Sequence, residues 1–288
     1  MGNNNKVNRV ALVIKYNQPH AMRIADSLST WLQQRGRSVC VYENAEPGVN
    51  GFVGGEDCLP SADLVIVLGG DGTLLSAARK IRGLDPILGV NLGGLGFLTE
   101  FSLDELYPMM DRILEGRFDT EPRTMLKVQV YRDNTQVAEC NVLNDAVINK
   151  AALARMIRLH TSVDGEFLNT FRSDGLIVSS PTGSTAYNLS AGGPILYPTL
   201  ECVTLAPICP FMLTNRPIIL PDSKVIEIQI GSKARDVTLT FDGQVGFDLM
   251  PMDVVRVRKA ENQLRLVRSP WTNYFQILRT RLKWGDIK

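Results

Sequence analysis

Apolar positions along the chain fall into two regimes. Val10–Ile14 is a short β-branched run, and the stretch Pro19–Arg35 behind it carries Met22, Ile24, Ala25, Leu28, Trp31 and Leu32 at near-helical spacing before Gly36 stops it. A strand is predicted at Ser38–Tyr42, then a polar loop with several glycines. The unbroken apolar run Ala62–Leu68 follows, as suits a parallel strand buried on both faces. A helix over Thr73–Ile81, a strand over Ile87–Val90 and a helix over Leu103–Leu114 complete the series. Such alternation of β and α argues for a parallel, doubly wound sheet and places the fold in the α/β class.

From Glu121 the period changes to two. Lys127–Tyr131, Arg155–Val163, Lys224–Ile230, Asp236–Phe241, Asp253–Arg258 and Gln263–Val267 read as strands, so the second domain is expected to be β-rich. Helical spacing returns in Asn273–Trp284, after Pro270. The boundaries that follow are 1–121 for the α/β domain, 122–270 for the β-rich domain and 271–288 for a helical tail that is a candidate to dock on the first domain.

Length supports the division, since 288 residues is about twice a common domain size of roughly 150. With 44% hydrophobic and 21% charged residues the composition is ordinary for a globular protein, and runs such as Leu64–Leu68 are far too short to span about 30 Å of hydrocarbon. A net charge of +1 provides no global field for nucleic acid or an anionic membrane, so a phosphate-bearing partner must be held by a local site. The five cysteines, at 40, 58, 140, 202 and 209, form no C-x-x-C pair, which fits a reducing cytoplasm. Met1–Lys6 has neither an apolar core nor a cleavage signature and reads as a disordered tail. Only His20 and His160 are present, and H-E-x-x-H and G-x-S-x-G are both missing, so the chemistry must use carboxylates, hydroxyls and backbone.

Four clusters carry that chemistry. Gly69-Gly70-Asp71-Gly72-Thr73 follows the buried strand and opens a helix, so Gly69, Gly70, Gly72 and Thr73 are placed to bring N–H groups onto phosphate oxygens. Asp71 at its centre would repel phosphate unless it meets a metal ion or takes a proton from an attacking hydroxyl; the alternative is a simple helix cap. Asn91-Leu92-Gly93-Gly94-Leu95-Gly96-Phe97-Leu98-Thr99 also follows a strand, and Phe97 offers an apolar face to a ring; standing alone, the cluster would be read as a glycine-rich turn with Phe97 in the core. Asn144-Asp145 interrupts an apolar run, where an amide suits an adenine edge and a carboxylate suits ribose hydroxyls; the alternative is a turn. The longest cluster runs from Arg172-Ser173-Asp174-Gly175 through Pro181-Thr182-Gly183-Ser184-Thr185-Ala186-Tyr187-Asn188-Leu189-Ser190 to Pro194, and core packing would not select so many hydroxyls and glycines.

In this order and spacing the four clusters resemble the NAD kinase family, whose hallmarks are GGDGT, an Asn-Glu/Asp pair and a Ser-Pro-Thr-Gly-Ser-Thr-Ala-Tyr stretch. The resemblance spans roughly Val7 to Trp284. One departure is that Asp145 stands where Glu is also found, which shortens the reach and keeps the acceptor. GGDGT alone is shared with diacylglycerol-type lipid kinases and distantly with phosphofructokinases, which lack the other two hallmarks. The resemblance implies a Rossmann-like N-terminal domain, a β-rich C-terminal domain and a homo-oligomer, either dimer or tetramer. It makes Asp71 the proton acceptor for the adenosine ribose 2′-hydroxyl of NAD, with Gly72 at the phosphates. Phe97, Asn144 and Asp145 would hold the dinucleotide, and Arg155, Arg172 and Asp174 would contact nucleotide or orient the site. Thr185, Ala186, Tyr187, Asn188, Leu189 and Ser190 would surround the substrate, with Gln244 the last contact.

The implied reaction moves the γ-phosphoryl of ATP to that hydroxyl, giving NADP and ADP. No Walker-type lysine motif is present, so charge neutralisation is expected from backbone amides and a divalent cation, Mg or Mn, with no ligand set assigned. Partners are therefore NAD and ATP, with neither nucleic acid nor membrane. Two other readings stand beside this one: a lipid kinase sharing GGDGT, and a non-enzymatic NADP-binding regulator.

Overall fold

The structure, a computed structural model, describes residues 7–44, 52–53, 62–81, 85–151 and 155–285; the tail Met1–Lys6, most of the glycine-containing loop and Cys58 lie outside them. Two compact units are formed, one from the chain up to Pro122 together with the chain from Leu264 onward, the other from Arg123–Gln263.

In the first unit, β1 (Arg9–Ile14), β2 (Ser38–Asn44), β3 (Phe52–Val53), β4 (Leu64–Gly69), β5 (Pro86–Asn91) and β6 (Thr120–Arg123) join a late strand, β19 (Leu264–Val267). The order is β3-β2-β1-β4-β5-β19-β6, and the pairs β1–β2, β1–β4, β4–β5 and β5–β19 are parallel. All six residues of β4 are buried, as the unbroken apolar run requires of a strand covered on both faces. Helix α1 (Pro19–Gln33) has proline at its first turn, where a missing N–H costs nothing, and buries Ala21, Ala25, Leu28 and Leu32 along one stripe. Helix α2 (Asp71–Lys80) leaves β4 after a single residue. Helix α3 (Leu103–Leu114) starts with a capping box, the Glu105 carboxylate accepting the Ser102 N–H at 2.7 Å, and buries Leu106, Met109, Met110 and Ile113.

The sequence reading carries the β-rich domain to residue 270, whereas Leu264–Val267 lies in the first sheet, with Arg265 opposite Pro86 and Leu266 opposite Ile87. A period-2 pattern names a strand without naming its sheet. Leu264, Leu266 and Val267 are buried, like the parallel strands they join. The segment continues into α5 (Tyr274–Leu282), capped by the Asn273 side chain accepting the Gln276 N–H, with Tyr274, Ile277 and Leu278 buried. An ion pair between Arg268 and the fully buried Glu100 fixes the return, with Arg268 N–H also donating to the Asp119 carbonyl.

The second unit holds two six-stranded antiparallel sheets among the described residues. One has the order β11-β10-β15-β18-β7-β8, formed by Glu166–Ser173, Ile157–Val163, Ile226–Ile230, Val254–Lys259, Leu126–Arg132 and Thr135–Val142. The other has the order β14-β13-β12-β9-β16-β17, formed by Ile218–Pro221, Cys202–Ile208, Gly175–Ser179, Asp145–Lys150, Val237–Phe241 and Val245–Leu249. Alternate residues of both, including Val128, Val130, Leu159 and Ile228 from one and Ile148, Leu176, Leu205 and Leu239 from the other, share a single core.

Arg268→Ala removes one ion-pair partner of the buried Glu100, so the first unit is expected to lose up to about 3–5 kcal/mol. Urea unfolding monitored on this unit checks it. A change below about 1 kcal/mol would show that the return strand does not depend on the pair.

Candidate active site

The GGDGT corner is built by β4 running directly into α2. Gly70 is the N-cap residue in extended conformation, and Asp71 occupies the first helical position. The carboxylate of Asp71 reaches across to the second glycine loop, where Oδ2 accepts the Phe97 N–H at 2.8 Å. Oδ1 accepts the N–H groups of Leu98 and Thr99, both at 3.0 Å, and the Thr99 hydroxyl at 2.9 Å. The same hydroxyl receives the Asn91 amide at 2.8 Å. Asp71 is therefore more than a helix cap: it joins the loops that follow β4 and β5. The join needs a glycine at 96, because a Cβ there would lie 2.1 Å from Asp71 Oδ1.

Gly69 ends β4, and Gly72 is exposed on the first turn of α2. Thr73 differs from the sequence expectation in its surroundings: it is buried, its side chain packs back against Gly69, and its N–H donates to the Gly70 carbonyl at 3.0 Å. The ring of Phe97 is half-buried, with the Arg281 guanidinium 5.6 Å from its centroid. Arg281, on α5, escaped sequence reasoning because nothing local couples residues so far apart.

In the second unit Asn144 and Asp145 form the corner between β8 and β9. Asp145 is almost fully buried, and burial, together with the like charge of Asp242, pushes its carboxyl up to about 7. A 3-10 turn, Thr182–Thr185, presses on this corner: a Cβ on Gly183 would lie 2.2 Å from the Asn144 carbonyl oxygen, and Ser180 N–H donates to that oxygen at 2.9 Å. Beyond the turn Thr185 and Ala186 are half-buried, while helix α4 (Tyr187–Ser190) exposes Tyr187 and Ser190 and half-buries Leu189. Asn188 stands apart from its neighbours, since it is fully buried and its amide donates to the carbonyls of Ser184 and Pro194. That side chain braces the loop from inside. Gln244 is half-buried in the turn after β16, its N–H on the Phe241 carbonyl.

Arg155 and Arg172 line a cavity of about 900 Å³ with Arg158, His160, Lys233 and Arg235, where Asp236 is the one carboxylate among the described lining residues. Arg158 and Arg172 are directly opposite on β10 and β11, and the Arg172 guanidinium also stacks 4.7 Å from the Phe211 ring centroid. The alternation of exposed residues along β10 was the available signal for Arg158. Lys233 and Arg235 come from the connection between β15 and β16, which no local pattern ties to β10. Asp174 pairs with Lys150 at 3.6 Å. Among the described residues no three His, Cys, Asp or Glu side chains gather as a metal ligand set. Nor is any helix among them long and apolar enough to cross a membrane.

Family models match both halves of the chain, the ATP-NAD kinase N-terminal domain over residues 56–118 and the C-terminal domain over residues 143–269. The curated NAD kinase of Geotalea daltonii is 49% identical over 281 residues, covering 96% of this chain and 99% of that protein. That of Geobacter metallireducens is 51% identical with the same coverage. Among solved structures, a yeast NADH kinase complexed with NADH superposes with TM-score 0.87 at 26% identity, covering 99% of this chain and 90% of that one. An NAD kinase from Archaeoglobus fulgidus in complex with ATP gives 0.74, also at 26% identity, with 95% and 98% coverage. An α/β unit with a glycine corner at a helix N-terminus, followed by a β-rich unit with a polar corner, defines a nucleotide phosphotransferase that works without a P-loop. The chain belongs to the NAD kinase family, whose members phosphorylate NAD to NADP, and the lipid-kinase and regulator readings fall away.

Two outcomes follow from the geometry. Gly96→Ala must displace the Asp71 carboxylate and orphan several N–H groups at once, so a loss of about 1–3 kcal/mol is expected together with loss of activity. Wild-type melting and turnover in this variant would contradict the join. For Asp145 the folded carboxyl titrates above its unfolded value of 3.8, so its ionisation opposes folding by an amount that grows between pH 3.8 and about 7 and is complete above that. Asp145→Asn is therefore expected to be more stable than wild type at pH 8 and no more stable at pH 3.5, as denaturation at the two values would show.

Proposed function

We propose that phosphoryl transfer in this NAD kinase uses Oδ2 of Asp71 as the proton acceptor. The observation that carries this is the unequal loading of the carboxylate: Oδ1 accepts three hydrogen bonds and Oδ2 one. A carboxylate oxygen has two lone-pair directions, so Oδ2 retains one for the 2′-hydroxyl of the adenosine ribose. That proton passes to Oδ2 as the 2′-oxygen bonds to the γ-phosphorus of ATP. The bond from that phosphorus to the β–γ bridging oxygen breaks, and ADP departs with the electron pair. Such general-base help is worth about 10² to 10⁴ in rate.

The remaining roles divide by chemistry. The N-terminus of α2, at Gly70 and Gly72, offers positive potential to phosphate oxygens. Asn144 reads the adenine edge and Asp145, once ionised, accepts ribose hydroxyls; Phe97 and the segment Thr185–Tyr187 supply walls. Arg155 and Arg172, in their cation-rich cavity, suit the pyrophosphate of the dinucleotide. Magnesium or manganese fits as a companion of the ATP phosphates, whose charge it would neutralise when bound. A cytoplasmic homo-oligomer suits the chain: its five cysteines are scattered with no C-x-x-C pair, and the loop Phe211-Met212-Leu213 exposes apolar side chains.

Asp71→Asn is expected to lower kcat at least about 10²-fold with a smaller change in KM for NAD. Folded protein with full turnover would remove Asp71 from the chemistry. With 2′-deoxy-NAD the nucleophile is missing, so binding without product is expected, and mass spectrometry of the NAD product should find the new phosphate on the adenosine 2′-oxygen. A phosphate on the nicotinamide ribose would mean that Asp71 faces a different hydroxyl.

A further inference from the structure

Asp242 lies in none of the four clusters, yet it makes more contacts with the Asn144-Asp145 corner than any residue within them. Its carboxylate accepts three consecutive backbone N–H groups, those of Leu143 at 3.3 Å on Oδ2 and of Asn144 and Asp145 at 2.7 and 3.2 Å on Oδ1. Its own N–H donates to the Asp145 carbonyl at 2.9 Å. The carbonyl side of the same corner is held by β12 and the residue after it: Ser180 donates through its hydroxyl to the Leu143 carbonyl and through its N–H to the Asn144 carbonyl, which the Ser179 hydroxyl also reaches at 3.3 Å. Every backbone polar group from the Leu143 N–H to the Asp145 carbonyl therefore has a partner, and the corner has no slack. Asp242 reaches this position with φ at +51°, in the left-handed region that disfavours most side chains and that Asp and Asn tolerate best.

We propose that Asp242 is a positioning residue for the dinucleotide: by fixing the backbone of Leu143–Asp145 it sets the directions in which the Asn144 and Asp145 side chains meet NAD. This rests on the reading that the pair holds NAD. Local turn propensity does not supply the constraint, because Asp242 lies almost a hundred residues further along the chain and arrives only by the pairing of β16 with β9. The cost of the arrangement is electrostatic. Two carboxylates share one buried place, and the elements packed against Asp145 bring it Ser179 from β12 and Asp242 from the turn after β16. Burial opposes the ionisation that makes Asp145 a ribose acceptor, and the negative charge of Asp242 opposes it further. Asp242 thus does two separable things: it aims the pair, and it adds to the burial that raises the Asp145 carboxyl.

Asp242→Asn separates these effects. Asparagine keeps one acceptor oxygen and tolerates the left-handed backbone, but it turns an amide donor toward the Leu143 N–H and removes the negative charge. We expect KM for NAD to rise about tenfold at pH 8 with kcat changed less than about threefold, and the midpoint of log(kcat/KM) for NAD against pH to move toward acid by at least half a pH unit. A residue that merely stabilised the fold would lower the melting temperature without displacing that midpoint. Asp145→Ala is measured alongside. If it leaves KM for NAD unchanged in folded protein, the assignment of the pair fails. If it raises KM while Asp242→Asn leaves both KM and the midpoint at wild-type values, the pair stands and the role of Asp242 is overturned. Should Asp242→Asn not fold, Ser180→Ala loosens the same corner from the carbonyl side with both charges intact; a raised KM with an unmoved midpoint supports the proposal, and an unchanged KM overturns it.

Discussion

A backbone N–H that turns away from water must find an acceptor, and at both of its polar corners this protein answers with an aspartate carboxylate. Asp71 gathers the N–H groups of Phe97, Leu98 and Thr99, and Asp242 gathers those of Leu143, Asn144 and Asp145. Asp63 repeats the device on a smaller scale, accepting from Asn8 and Arg9 where β1 begins. A carboxylate suits the task because its two oxygens accept without donating, so three donors can converge on one side chain. The choice also limits chemistry. Lone pairs spent on the backbone are closed to any other donor, so the distribution between the two oxygens of Asp71 matters more than its mere presence.

Topology decides where those corners fall. In the first sheet β1 has β2 on one side and β4 on the other, so the winding reverses between β1 and β4, and ligands of open α/β sheets bind beyond the strand ends at such a reversal. Both glycine loops leave the carboxyl ends of β4 and β5, which bring Asp71 within reach of residues 97–99. The sheet is completed only when β19 returns after the whole second unit has been made. Glu100, one residue past the Asp71-bound loop, is the buried partner of Arg268 just beyond that strand. The loop that carries half of the glycine corner is thereby anchored to the last part of the chain to arrive.

Much of this was legible before folding, for reasons that can be stated residue by residue. The unbroken run Ala62–Leu68 identified a doubly buried strand, and GGDGT directly behind it had to open a helix, because glycine and aspartate are start signals and Thr73 onward is periodic. The NAD kinase resemblance rested on ordered motifs, each a local string. What escaped was non-local. Gln263–Val267 has the same alternation as its neighbours, and only the pairing of β19 with β5 places it in the first sheet. Asn188 sits within a ligand-suited string, yet the helical turn of α4 directs it inward, where Ser184 and Pro194 hold it. Arg158, Lys233 and Arg235 meet only because β10, β11 and β15 are neighbours, and Asp242 meets Asn144 only through the pairing of β16 with β9.

The second unit keeps like charges together in two places: Asp145 beside Asp242 in the interior, and Arg158 opposite Arg172 at the surface. Directly opposed like charges weaken a sheet, and a buried pair of carboxylates raises the proton affinity of one of them. Neither arrangement is demanded by the core, whose residues on both sheets are aliphatic and aromatic. A chain selected only to fold would have replaced either partner, since single changes that relieve such repulsion are easy to reach. The two pairs differ in sign, and under the proposed reading they serve different chemistry: the carboxylate corner would accept hydroxyl donors from a ribose, and the arginine cavity would hold phosphate oxygens. Stability given up at both places would then serve two parts of one ligand, its ribose hydroxyls and its central phosphates, which a protein with almost no net charge has to hold by local sites rather than by a global field.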